Sequence, residues 1–107
     1  GRCPVFNIVI YNNGECLYNG MKFVKKSGEY NLKINKQEIN KILSQAKKIG
    51  FDNLQNEYSE RITDLPTTYI MINNKKIKDY YGAPPELKDL EKLIEEIILN
   101  KLKIPSF

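Results

Sequence analysis

The chain has no histidine and no tryptophan, and only two cysteines, Cys3 and Cys16, in 107 residues. Without histidine there is no Ser-His-Asp or Cys-His catalysis, no usual general base near neutral pH, and none of the commonest metal ligand. Two cysteines are too few for a structural zinc site. No glycine-rich loop resembles a P-loop or a dinucleotide fingerprint. We therefore assign no catalytic residue, no metal ligand and no cofactor. No apolar run approaches the roughly 18–20 residues of a membrane span. No secretory signal is present, and Gly1 reads as an expression remnant, so we expect the native N-terminus further upstream.

What is present is lysine, asparagine and isoleucine. Net charge is +4 and is unevenly placed. Residues 1–50 hold nine Lys/Arg against three acids, net +6, and residues 51–107 hold eight against ten, net −2. Such asymmetry can mark a nucleic-acid partner, here through Lys22, Lys25, Lys26, Lys33, Lys47 and Lys48. Fifteen of the seventeen cations are lysine, which favours an ordinary solvated face, and nucleic acid is set aside as the partner.

At this length the chain is one domain, 3–100, followed by a tail, 101–107. Val5 to Tyr11 reads as a strand, and Asn13-Gly14 as a two-residue type I′ turn. That turn pairs Tyr11 with Cys16 and leaves Cys3 too far along the strand for a disulfide to Cys16. Asn19-Gly20 and Ser27-Gly28 read as two further turns, giving strands at Met21–Lys26 and Glu29–Ile34. Asn35 to Glu38 is a capping box, followed by Ile39, Ile42, Leu43, Ala46 and Ile49 at helical spacing and Gly50 as the stop. Phe51 to Ile62 is irregular. A second hairpin follows, its turn centred on Asn74-Lys75, so that Ile72 faces Ile77, Ile70 faces Asp79 and Tyr69 faces Tyr80. Pro85 suits the first position of a helix carrying Leu87, Leu90, Leu93, Ile94, Ile97 and Ile98. The order ββββ-α-ββ-α segregates strands from helices. It predicts an α+β fold, a single antiparallel sheet of about six strands with two helices packed on one face.

Two places hold candidate site residues. The loop before the second hairpin and the strand end after it bring together Asp64, Thr67, Thr68, Asp79, Tyr80 and Tyr81. Two carboxylates among tyrosines suit a glycan, a peptide or a cation, and would serve a hydrolase as acid and base if about 5–10 Å apart. The plainer reading is that Asp64 caps its own turn and Asp79 orders the facing loop. The second place is the sheet face without helices, where the expected registers put Tyr11, Tyr18, Tyr69 and Met71, with Tyr80 beside them. Tyrosines on an uncovered face suit a protein or glycan partner, or a homodimer. Tyrosine also favours strands for its own sake.

The spaced set Cys3-Pro4-Val5, Asn13-Gly14, Tyr18-Asn19-Gly20, Gly28-Glu29-Tyr30, Thr63 to Thr68, and Tyr80-Tyr81-Gly82-Ala83-Pro84 resembles the DUF6438 family of bacterial proteins, found largely in Bacteroidetes. The resemblance covers about residues 3–98. The family carries no established activity. Its members resemble exported proteins, often with a lipoprotein-type start, which implies a periplasmic or membrane-anchored location. Gly1-Arg2 does not resemble the small residue that precedes a lipidated cysteine, so a lipid anchor would lie upstream. Together these point to a non-enzymatic envelope interaction module, with a ligand-binding or hydrolase-like domain using Asp64 and Asp79 as the alternative.

Overall fold

The computed structural model describes residues 5–22, 28–61 and 65–102. Its elements are β1 (Val5–Ile10), β2 (Glu15–Lys22), β3 (Gly28–Lys33), α1 (Lys36–Lys48), a 3-10 turn at Phe51–Asn53, β4 (Glu57–Tyr58), β5 (Thr67–Ile72), β6 (Lys75–Asp79) and α2 (Pro85–Lys101). The six strands form one sheet in the order β3-β2-β1-β5-β6-β4. The fold is α+β, and the sheet is mixed rather than purely antiparallel. β1 runs parallel to β5, and β4 parallel to β6; the remaining pairs are antiparallel. The parallel centre follows from the connection. β1, β2 and β3 alternate in direction, so β3 runs with β1, and the chain then passes through α1 and β4 before it re-enters beside β1 as β5, parallel to it.

The opening meander has three strands, not four. Asn19-Gly20 is no turn but the middle of β2, where Asn19 lies between Asn7 and Glu29 and Gly20 between Phe6 and Gly28. A strand with neighbours on both sides gains ladder hydrogen bonds along both edges, and that outweighs the local turn preference. The sixth strand comes instead from the irregular stretch, as β4.

The first hairpin differs from the expected one by a single residue. Only Gly14 has positive φ there, at 90°. A type I′ turn would require it of Asn13 as well, so the loop is the three-residue kind with a bulged glycine. Gly14 donates its N–H to the Tyr11 carbonyl and Tyr11 donates to the Glu15 carbonyl, both at 3.0 Å. A Cβ on Gly14 would stand 2.6 Å from the backbone oxygen of Ile34, so glycine is required for space as well as φ. The outcome pairs Ile10 with Cys16 and Ile8 with Tyr18. A one-residue shift exchanges the faces of a strand. Cys16 and Tyr18 therefore join the core, and Leu17 faces outward.

The second hairpin turns at Asn73-Asn74, with Ile72 opposite Lys75, Ile70 opposite Ile77 and Thr68 opposite Asp79. The expected register is displaced by an even step, which preserves the faces. Ile70, Ile72 and Ile77 are buried, as expected of one side.

Both helices cover one face. Ile8, Ile10, Cys16 and Tyr18, with Ile70, Ile72 and Ile77, share a single core cluster with Ile39, Ile42 and Ala46 of α1 and Leu87, Leu90, Ile94 and Ile98 of α2. The capping box forms as read: Glu38 N–H donates to Asn35 Oδ1 at 2.8 Å and Asn35 N–H to Glu38 Oε1 at 3.1 Å. Gly50 stops α1 at φ 71°, and Pro85 opens α2.

Candidate functional site

Of the first site set, Asp64 lies outside the described residues. Thr67 and Thr68 open β5 and are buried; Asp79 closes β6 and is wholly buried on the helix-covered face. Tyr80 and Tyr81 follow it, anchored by N–H donation to the Tyr58 carbonyl at 2.9 and 3.0 Å. Tyr80 is half-buried and Tyr81 is 49% exposed. The structure thus brings Thr68 opposite Asp79 but seals the carboxylate inside.

Asp79 has two neighbours that sequence reasoning missed. Lys88 Nζ lies 2.9 Å from Asp79 Oδ2 and reaches there from a side chain 54% exposed. Glu91, one turn further along α2, is buried and stands within hydrogen-bonding reach of Asp79. Burial, then the hydrogen bond to Asp79, then the charge of Asp79 push the Glu91 carboxyl from 4.5 up to about 9, against the lowering effect of Lys88. Burial and the nearby Asp79 thus hold Glu91 toward its protonated form. Both side-chain oxygens of Asp79 and Oε2 of Glu91 are buried with no hydrogen-bond donor among the described residues, and Lys88 is the cation that reaches Asp79. The signal for Glu91 was visible: it stands four residues after Leu87 and three before Ile94, inside the apolar stripe of α2. Glu95, a turn on, also acts on Glu91 and raises the Tyr18 hydroxyl, whose largest shift comes from burial.

This pair can hold a proton. General acid–base work also needs contact with substrate, and Asp79 has no exposed surface and Glu91 only 6%. Among the described residues no group of three or more Cys, Asp or Glu could hold a metal ion. Cys16 is a buried free thiol pushed up to about 12 by burial, so it is not a nucleophile. Cys3 lies outside the described residues, as do Lys25 and Lys26.

The helix-free face is the other candidate. Tyr18, expected here, is 5% exposed and packs in the core, its ring 6.3 Å from Phe6 and 6.4 Å from Tyr30. Leu17 takes its place, 42% exposed. Tyr11 is 37% and Met21 43% exposed, while Val9, Tyr69 and Met71 are half-buried. The registers align Leu17, Val9, Met71 and Lys76 in one row, and Asn19, Asn7, Tyr69 and Lys78 in the next. Lys76 Nζ lies 5.7 Å from the Tyr69 ring centre and Lys78 Nζ 5.9 Å from that of Tyr80. The row through Leu17, Val9 and Met71 is apolar, the row beside it holds Asn19 and Asn7 with Tyr69, and both end in lysine at β6.

A six-stranded mixed sheet with two helices on one face, and none of the described residues forming a helix on the other, defines a small α+β scaffold. The model of the family described as Domain of unknown function (DUF6438) matches residues 1–98, and the chain belongs to that family. No curated protein and no solved structure matches it. No helix among the described residues is long and apolar enough to cross a membrane.

Proposed function

We propose that this chain is a non-enzymatic interaction module that docks a protein partner on its helix-free sheet face. One observation carries the reading: Tyr11, Leu17 and Met21 stand more than a third exposed, around half-buried Val9, Tyr69 and Met71. Tyrosine and methionine are residues that interface centres favour and rims do not. Lys76 and Lys78 border the strip, so the partner presents an apolar ridge with acids beside it. The burial of Asp79 and Glu91 supports a non-enzymatic reading over a hydrolase built on Asp79. An envelope location, periplasmic or lipid-anchored, belongs to the same proposal and rests on the likeness of family members to exported proteins.

A photo-crosslinking residue installed at Leu17 in cells of the source organism should yield one discrete protein adduct. The same residue at Glu96, on the exposed side of α2, should not. Adding Lys76→Glu and Lys78→Glu should reduce the Leu17 adduct. Equal adducts at both positions, or none at Leu17, would overturn the reading.

A further inference from the structure

β3 ends the sheet. It pairs with β2, and among the described residues nothing pairs with its other side. The direction of its backbone groups follows from one bond and one register. Ile34 donates its N–H to the Gly14 carbonyl of the neighbouring hairpin at 2.9 Å. From there the β2–β3 ladder runs without a shift, from Glu15 opposite Lys33 to Gly20 opposite Gly28. Hydrogen-bonded and non-bonded pairs alternate in an antiparallel ladder. Leu32, Tyr30 and Gly28 therefore turn their N–H and C=O toward β2, and Lys33, Asn31 and Glu29 turn theirs outward.

An edge of this kind is a template for another strand unless charge, proline or a bulge blunts it. β3 carries two charges of opposite sign, Glu29 and Lys33, both exposed and equally spaced about Asn31. That arrangement is complementary to itself. A twofold axis through Asn31, normal to the sheet, sets Asn31 against Asn31 of a second copy. It also sets Glu29 against Lys33 of that copy, and Lys33 against its Glu29. Each of these pairs joins two residues whose backbone groups point outward, so each exchanges both of its hydrogen bonds. On the core side Tyr30 then meets Leu32 of the second copy, and both are half-buried where the core opens at this edge. Centring the axis one residue to either side sets Glu29 against Asn31 or Lys33 against Asn31 and loses both charge pairs.

We propose that two copies of this chain associate through antiparallel β3–β3 pairing centred on Asn31, which joins their sheets into one, with Glu29 of each copy facing Lys33 of the other. Closed twofold assembly is the common form of self-association and needs one self-complementary patch. Lys33 Nζ rests 2.7 Å from the Asn13 carbonyl oxygen in the single chain, an exposed contact that it exchanges for the carboxylate of the second copy. The pairing is independent of the docking face, because it uses the sheet edge and leaves Tyr11 and Leu17 uncovered.

The test is sedimentation velocity of the chain from about 10 μM to about 1 mM, the range suited to a small interface. Wild type should form dimers. Glu29→Lys alone and Lys33→Glu alone set like charges opposite each other twice per dimer, and each should weaken association about tenfold or more. An equal mixture of the two variants restores opposite charges at both positions, and association should return. Asn31→Pro removes an N–H that faces outward, costs no bond to β2, and should abolish pairing while circular dichroism shows the fold retained. A monomer across the whole range would overturn the proposal. So would a dimer indifferent to the single variants, a mixture of folded variants that fails to recover, or a dimer dissociated by Leu17→Ser instead.

Discussion

The two faces of this sheet are made by the same strands, residue by alternate residue, and they have opposite chemistry. On β5 the covered side holds Thr68, Ile70 and Ile72, all buried, and the open side holds half-buried Tyr69 and Met71. On β1 it is Ile8 and Ile10 against Asn7 and Val9. The covered face holds a polar pair, Asp79 with Glu91, buried under α2. The open face carries Tyr11, Leu17 and Met21 partly in water, beside asparagine and lysine. The carboxyl groups with the ordinary look of a reactive site are thus buried, and residues with the ordinary look of a core are partly outside. Burial rather than residue type separates the two faces here.

The sharpest break in that contrast is a cavity on the covered side. Ile70 has no exposed surface and lies between β1 and β6 beneath the helices. Ile70→Ala should cost about 3 kcal/mol, from lost transfer free energy and the cavity left behind, read as a lower urea midpoint at unchanged slope. A loss below about 1 kcal/mol would mean that this face is not close-packed.

The next effect concerns the sealed acid pair and depends on pH. Folded Glu91 keeps its proton up to about 9, whereas the unfolded chain releases it above 4.5. Below the lower value both states are protonated, and the stabilising contribution is fully present. Between the two values unfolding releases a proton, so stability falls as pH rises, at up to about 1.4 kcal/mol per pH unit for one group. Above the upper value the loss is complete. Glu91→Gln preserves a donor to Asp79 and has no proton to release. It should match wild type near pH 4.5 and be more stable by a few kcal/mol, about 2–3, at pH 7. Urea titrations of both proteins at several pH values check this, and parallel profiles would show that Glu91 is not held protonated.

The residues that announced themselves in the sequence were those whose signal is local. The Asn35–Glu38 capping box, the Gly50 stop, the Pro85 start and the stripes of both helices depend on neighbours within one or two turns, and all stand as read. The sheet was harder because its order depends on distant pairing. Nothing near Asn19-Gly20 states that two strands will flank it, and nothing near Val5 states that Thr67 will run beside it in parallel. The open face was legible in outline, with Tyr11, Tyr69 and Met71 on it, but one loop residue at Gly14 exchanged Tyr18 for Leu17. The acid pair was half legible. Asp79 was named and its partner sought at Asp64, which lies outside the described residues, while Glu91 on α2 went unread. Long-range pairing of a buried carboxyl leaves only an indirect trace, a charged residue inside an apolar stripe.

The smallest effect is the one that separates the faces most cleanly. Leu17 and Ile8 are one residue out of register on neighbouring strands: Val9 pairs with Leu17, and Ile8 with Tyr18. Both are large aliphatic side chains in the same ladder, yet Ile8 is fully buried and Leu17 is 42% exposed. Leu17→Ser removes apolar surface that is partly in water already, opens no cavity, and places a hydroxyl where water can reach it. Its cost in folding free energy should stay within about 0.5 kcal/mol, several-fold below the burial contribution of the neighbouring isoleucine, about 1.5–3 kcal/mol. If Leu17 were instead retained for the fold, the loss would approach that of Ile70→Ala and would appear in the same urea titration. A stable Leu17→Ser variant that no longer forms the adduct of its parent would leave recognition as the reason for an exposed leucine in the middle of a sheet.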